Sequence, residues 1–146
     1  MVLLRPIFRL LKQPWRRKRL LVESIIGFSI ARVLFFVLPF KRFSRFLGTL
    51  VTDFSDDQVV LSSDLRDVAW AIDRACRVAP WGKKCLIRAA TAKWIAQRYG
   101  YRLHFFLGVG RDDKRDFIYH AWTKYHCHTI TGGETEGVYK TLAIYH

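Results

Sequence analysis

The spacing of apolar residues changes at Gly100, and this change limits the folds open to the chain. Before Gly100, apolar residues recur at helical spacing. After it, short aromatic and β-branched runs are separated by Gly or by Asp and Lys turns. Helices followed by strands are typical of α+β proteins. The sequence therefore predicts an α+β fold in which a helix leads into an antiparallel sheet.

The helical half divides at prolines, glycines and capping residues. Pro39 ends the longest apolar run, and a later helix opens at Ser62 or Ser63 and closes at Pro80. Gly100 stands in the usual place just past a helix C-terminus. The other predicted helices are 3–11, 15–38, 41–47 and 85–99. The strands that follow, predicted at 101–110, 117–126, 128–131 and 138–146, are expected to form an antiparallel meander.

Charge is concentrated at the N-terminal end. The 146 residues carry 25 Lys and Arg against 12 Asp and Glu, a net charge of +13, and the first 50 contain a single acid, Glu23. We therefore predict a basic helical N-terminal extension over 1–50 and a separate core over 51–146. A strongly basic segment is suited to nucleic acid, an anionic membrane surface or an acidic peptide.

The apolar stretch 20–40 is long enough to suggest a membrane span. It contains Glu23 and Arg32, however, and a mid-membrane Arg costs about 2.5–3.5 kcal/mol on insertion scales. We interpret it as an amphipathic or buried helix. An odd number of cysteines, three, indicates a reducing compartment rather than a disulfide scaffold. The expected location is cytoplasmic, with peripheral membrane contact through the N-terminal helices left open.

Cys85 and His120 are the candidates for chemistry. Cys85 lies in the predicted first turn of a helix, directly after Lys83 and Lys84, and both the helix N-terminus and the lysines favour thiolate over thiol. His120 lies in the middle of a predicted strand. A helix N-terminus placed against the centre of a sheet would bring the two together for nucleophilic catalysis. Their spacing alone does not distinguish a catalytic pair from two unrelated structural residues.

Two other functions receive less support. His126, Cys127 and His128 could ligate a metal, but adjacent residues point in different directions and no second ligand pair has zinc-site spacing. The basic N-terminal third has no Gly-rich phosphate loop, and its apolar residues look like helix faces that need a partner. We therefore expect no metal, no cofactor and no nucleic-acid partner.

Three stretches carry a resemblance to a known family. The first is the basic opening with Pro14-Trp15-Arg16 and Leu38-Pro39-Phe40. The second joins Pro80-Trp81 to Cys85-Leu86-Ile87-Arg88-Ala89. The third holds Gly108-Val109-Gly110, His120-Ala121-Trp122 and Thr131-Gly132-Gly133. In this order they resemble the stand-alone leader peptidases of lasso-peptide biosynthesis, which are members of the transglutaminase-like (papain-like) superfamily.

The resemblance implies roles for particular residues. Cys85 would be the nucleophile and His120 the base. The matching strand lacks the Asp that orients the imidazole in relatives, so Glu134 is the nearest candidate, with a backbone carbonyl, Thr131 or a water as alternatives. Trp81 and Trp122 would position substrate or oxyanion, although packing is the simpler role for Trp81.

The resemblance also implies partners. The substrate would be a ribosomally made precursor peptide, delivered by a separate leader-recognition protein, and the lasso cyclase could dock alongside. Acyl transfer to an amine instead of water remains open within the superfamily. Outside the superfamily, the remaining alternative is a non-catalytic basic scaffold protein.

Overall fold

A computed structural model describes residues 12–133 and 137–146 of the chain. Helices form the N-terminal half and strands the C-terminal half, as predicted for an α+β fold. The helices are α1 (Trp15–Val37), α2 (Phe40–Phe43), α3 (Ser63–Val78) and α4 (Cys85–Arg98), with 3-10 turns at Ser44–Leu47 and Pro80–Lys83. The strands are β1 (Leu50–Val51), β2 (His104–Arg111), β3 (Phe117–Tyr125), β4 (His128–Thr131) and β5 (Lys140–Tyr145). The predicted helix 3–11 lies outside the described residues.

The sheet has the order β1-β5-β2-β3-β4, and all its neighbours are antiparallel. The predicted meander is correct for β2, β3 and β4 but wrong for β5, which crosses back to pair with β2 instead of β4. The short β1, which was not predicted, then pairs with β5. Alternation of side chains identifies a strand but does not say which strand lies beside it. The pairing with β5 gives β2 a partner on its second edge, which satisfies the backbone N–H and C=O groups there.

Helix α1 belongs to the same hydrophobic core as α3 and α4. Its inward positions, Leu20, Ser24, Phe28 and Ala31, recur at helical spacing and are completely buried. The helix is also long and apolar enough to cross a membrane, by length and composition alone. Because its inner face completes the core of the domain, the helix is packed along one side of the protein. The predicted division of the chain at residue 50 stays a prediction.

Helix α3 is fixed at its start by a cap and by ion pairs from α1. The Leu65 N–H donates a hydrogen bond of 3.2 Å to the Ser62 hydroxyl, which confirms the predicted N-cap. Arg16 pairs with Asp64, and the Arg17 guanidinium pairs with Asp67 at 2.8 Å. Some of the basic residues of the N-terminal segment therefore bind acids within this chain.

Small residues allow α4 to lie close to the sheet. Ala89 and Ala90 on the helix pack against Phe105 of β2 and Ala121 of β3, and all four are completely or almost completely buried. Cys85, at the first position of α4, is half-buried against the same cluster. The packing of the helix on the sheet therefore sets where Cys85 lies.

Two glycines allow equally close contact between α1 and the region around the start of α4. A Cβ atom on Gly27 would lie 2.4 Å from the Thr91 methyl, and one on Gly82 would lie 2.1 Å from the Phe28 ring. Neither glycine has a positive φ that would require it, so the constraint is one of space. Phe28 therefore packs directly onto the turn that comes just before Cys85.

We expect Gly82→Ala to destabilise the protein by about 1–3 kcal/mol, because the added methyl overpacks the Phe28 ring. Chemical denaturation measures the free energy of unfolding. Phe28→Leu in the same chain should recover part of the loss by making room.

Gly133→Ala is the matched control, since its Cβ would come no closer than 3.3 Å to Thr129 and its backbone is not left-handed. Equal unfolding midpoints for Gly82→Ala and Gly133→Ala would contradict this account of the Phe28 contact.

Candidate active site

Cys85 occupies the first turn of α4, as predicted. The N-cap residue is Lys84, whose side chain makes no capping hydrogen bond. The first N–H groups of a helix have no acceptor within it, and an uncapped N-terminus leaves them free to stabilise an anion. A thiolate or an oxyanion at Cys85 would therefore meet unused backbone donors and the positive end of the helix dipole.

The other two cysteines have structural contacts. Cys76 is buried on α3 and its thiol donates to the Gly82 carbonyl at 3.4 Å, while burial raises the pKa of that thiol. Cys127 is half-buried, and its N–H donates to the Asp57 carbonyl. Cys85 is thus the cysteine of the three that lies at a helix N-terminus.

His120 is held in the middle of β3 by one hydrogen bond and two rings. Its Nε2 lies 3.3 Å from the Gly132 carbonyl oxygen, and its ring stacks between those of Tyr139, at 4.9 Å, and Trp122, at 6.0 Å. Because a carbonyl oxygen only accepts, Nε2 carries the proton in this contact and Nδ1 is the basic nitrogen of the neutral ring. A main-chain carbonyl therefore orients the imidazole, which was one of the alternatives to Glu134.

The thiol and the imidazole approach β3 from different sides. Ala121 faces the cluster beneath α4 that also contacts Cys85, and neighbouring residues of a strand point to opposite faces. The side chains of Cys85 and His120 share no hydrogen bond here. In the described part of the chain, β4 pairs with β3 only from Thr123 to Tyr125. Beyond this pairing, Gly132 lies against β3, within 3.3 Å of His120 Nε2 through its carbonyl oxygen.

A row of aromatic rings forms the face of the sheet that carries His120. Trp122 stacks on Phe106 at 5.4 Å, and Phe54, from the segment before α3, packs edge-on against Phe106. Trp122 is only 4% exposed, so it forms a wall beside the imidazole, whereas Trp81, in the turn before Cys85, is 38% exposed. The structure therefore places Trp122 with His120 and Trp81 with Cys85.

Two glycines make room for this arrangement. A Cβ on Gly108 would lie 2.8 Å from the Trp122 ring, and one on Gly132 would lie 3.0 Å from His120 Nε2. Gly132 also has a φ of +76°, which disfavours any other residue. Neither the Tyr139 ring nor Gly132 as the particular residue that supplies the carbonyl oxygen of this contact was predicted from the sequence. The Thr131-Gly132-Gly133 run pointed to this part of the chain, but no residue pattern marks a particular carbonyl.

Two other predictions concern Glu134 and the possible metal ligands of the β3–β4 turn. Glu134 lies outside the described residues. The Nε2 of His128 donates a hydrogen bond of 2.6 Å to the Val59 carbonyl. The Nδ1 of His126 lies 3.8 Å from the Asp57 carboxylate. These contacts connect the β3–β4 turn to the segment before α3. Within residues 12–133 and 137–146, no three His, Cys, Asp or Glu side chains are grouped to hold a metal ion.

Comparison with known families agrees with this architecture. The family described as the transglutaminase-like superfamily matches residues 31–143, well over half of the chain. The chain belongs to the transglutaminase-like superfamily. None of the curated proteins or solved structures compared with it is significantly similar.

Transglutaminase-like proteins include cysteine proteases and acyltransferases. Both activities proceed through a cysteine nucleophile and an acyl-enzyme, and they differ in the acceptor that receives the acyl group. The match begins at Ala31, within α1, and continues to Ala143, within β5. It includes Cys85, His120, Trp81 and Trp122, but assigns no role to any of them.

The separation of thiol and imidazole predicts how the free protein reacts with an alkylating agent. Because His120 bonds Gly132 and not the sulfur, His120→Ala should leave the rate of Cys85 alkylation by iodoacetamide within about twofold at each pH from 6 to 9. Peptide mass spectrometry measures the rate separately for Cys85, Cys76 and Cys127.

Cys127→Ala is the control that shows the measured adduct is on Cys85. A loss of tenfold or more at neutral pH in His120→Ala would show that the two side chains already interact in the free protein, contrary to the structure.

Proposed function

We propose that this protein is a cysteine peptidase that removes the leader from a lasso-type precursor peptide. The observation that carries the proposal is Cys85 at the uncapped N-terminus of the central helix of a transglutaminase-like chain. The resemblance of the Cys85-Leu86-Ile87-Arg88-Ala89 and His120-Ala121-Trp122 stretches to leader peptidases supports the choice of substrate.

In the acylation step, the Cys85 thiolate attacks the carbonyl carbon of the scissile peptide bond. The oxyanion that develops is stabilised by backbone N–H groups at the start of α4, including that of Cys85. His120 takes the thiol proton on Nδ1 and gives it to the leaving amine, so the C–N bond breaks and a thioester to Cys85 remains. The mechanism requires the thiol and imidazole to come together when the peptide binds.

In the second step, His120 removes a proton from water, which attacks the thioester carbon and releases the leader acid and Cys85. The Gly132 carbonyl and the Trp122 and Tyr139 rings hold the imidazole for both steps. An amine in place of water would give acyl transfer by the same intermediate, so the acceptor alone distinguishes the two superfamily activities.

Partners follow from the proposed reaction. A separate leader-recognition protein would deliver the precursor in the cytoplasm, and a cyclase would use the amine that cleavage frees. Arg16 and Arg17 are engaged with acids of α3, so a docking surface on the basic extension would use exposed residues such as Lys41 and Arg42.

Mass spectrometry of a lasso-type precursor incubated with this protein and a leader-recognition protein tests the proposal. We expect cleavage at one bond, and a loss of at least about 10³-fold for Cys85→Ala or His120→Ala, because each removes a reacting group. Glu134→Gln tests the third residue separately. If the Gly132 carbonyl is sufficient, its rate should fall less than about threefold.

Cys127→Ala and His128→Ala are matched controls, since they change the same residue types outside the site. Transfer of the acyl group to an added amine, in preference to water, would favour the acyltransferase. An intact precursor in every sample, with the partner shown to bind, would reject both.

We also propose that α1 rests on an anionic membrane surface. Its outer positions Val22, Ile26, Ile30 and Val33 are at least half exposed, while its inner face is in the core. An exposed apolar face of this kind, interrupted by Ser29 and flanked by Arg32, marks an interaction surface. Lys18 precedes this face and Lys41, Arg42 and Arg45 follow it, so basic residues at both ends would meet anionic headgroups.

We expect the protein to co-sediment with phosphatidylcholine vesicles that contain phosphatidylglycerol, and less with phosphatidylcholine alone. Ile26→Asp with Ile30→Asp should reduce the bound fraction at least about fivefold, since charge at these positions opposes insertion. Val60→Asp is the control, because Val60 is 91% exposed but lies away from α1. Equal binding by all three proteins would reject the membrane face, and a dimer lost in the α1 variant would assign the face to a second copy.

A further inference from the structure

A cavity of about 380 Å³ lies at the other end of α4 from Cys85. Its charged and polar side chains come from three parts of the chain: Arg45 from the turn after α2, Lys93 and Gln97 from α4, and Arg102 from the connection to β2. His146 closes another side. None of the described residues that line it is acidic. The cavity thus collects positive charge in a recess.

Lys93 is the unusual member of this group. It is only 6% exposed, and its Nζ donates a hydrogen bond of 2.5 Å to the Leu103 carbonyl. An ammonium has three donors, and burying one costs free energy unless an opposite charge compensates. No carboxylate of the described residues lies within ion-pair distance of it. A long apolar side chain would fill the same space without that cost.

We propose that this cavity is a binding site for an oxyanion, the carboxylate or phosphate group of a ligand, held between Lys93, Arg45 and Arg102. Guanidinium groups bind both kinds of oxyanion through paired N–H donors, and the Gln97 amide adds a neutral donor. The site is separate from the proposed peptidase site, since Lys93 lies eight residues, about 12 Å, along α4 from Cys85.

The charge of Lys93 makes the site sensitive to pH. Burial, together with the nearby Arg102, lowers the pKa of Lys93 to about 8. The other titratable groups around it are His104 and His146. Burial and neighbouring charges lower the pKa of His104 to about 4, and burial lowers that of His146, so both rings are neutral near pH 7. Lys93 is therefore the group that loses charge between pH 7 and 9.

Titration with sodium sulfate and with sodium acetate, followed by ¹H–¹⁵N NMR of the whole chain at low ionic strength, tests the site. Both anions keep a constant charge from pH 7 to 9. We expect resonances of Lys93, Gln97 and Arg102 to shift saturably, and the dissociation constant to rise at least about fivefold from pH 7 to pH 9. Tighter binding of sulfate would indicate a phosphate ligand, and tighter binding of acetate a carboxylate.

Lys93→Met replaces the ammonium by an unbranched apolar side chain one atom shorter. It should weaken anion binding at least about tenfold and abolish its pH dependence. Arg102→Gln, at an exposed position, should weaken binding at least about threefold and tests the site even if Lys93→Met does not fold. Arg74→Gln, an exposed arginine on α3, is the matched control and should leave the dissociation constant within about twofold. Unsaturable shifts, or equal binding by wild type and Arg102→Gln, would overturn the proposal.

Discussion

The contact between Phe28 and Gly82 is the constraint on which the arrangement of the candidate site depends. Gly82 has no side chain, so α1 can press an aromatic ring onto the turn before α4. Gly27 allows a second close contact, with Thr91, which lies six residues further along α4 than Cys85. Interiors packed to this density tolerate little added volume. The basic N-terminal helix is therefore part of the support of Cys85.

The proposed chemistry depends on two surfaces of one strand. The helix face of β3 presents Ala121 to α4, while the other face presents His120 to the Trp122 and Tyr139 rings. The hydrogen bond to Gly132 fixes which nitrogen of the neutral imidazole is basic, and this is the nitrogen that the proposed mechanism uses for proton transfer. Catalytic hydrogen bonds are often long or unformed in free enzymes and tighten when substrate binds. In the proposed mechanism, the bound peptide brings the thiol of Cys85 and the imidazole of His120 together.

Much of the fold could be predicted from the sequence, because the signals are local. The Ser62 cap, the start of α4 at Cys85 and the left-handed Gly100 each depend on a few adjacent residues, and the structure confirms all three. The place of β5 beside β2 could not be predicted in this way. Alternation reports that one face of a strand is buried, but carries no information about which strand lies next to it.

The candidate site shows the same division. A cysteine at a helix start and a histidine in a strand can be predicted from their residue types and from the residues next to them in sequence. The acceptor for the imidazole is a main-chain oxygen, which every residue possesses, and the Tyr139 ring reaches His120 only because β5 crosses the sheet. The cationic cavity was hidden for a similar reason, since Arg45 reaches it from 48 residues before Lys93.

Helix α1 has one face buried in the core and an opposite face that is exposed. Leu20, Phe28 and Ala31 clamp the helix into the core, while Val22, Ile26 and Ile30 are open on the opposite side. A rigid rod held in this way transmits displacement instead of absorbing it. On the inner side of α1, the Phe28 ring contacts Gly82, three residues before Cys85. Whatever covers the outer face of α1 therefore rests on the helix that packs against the turn before the proposed nucleophile.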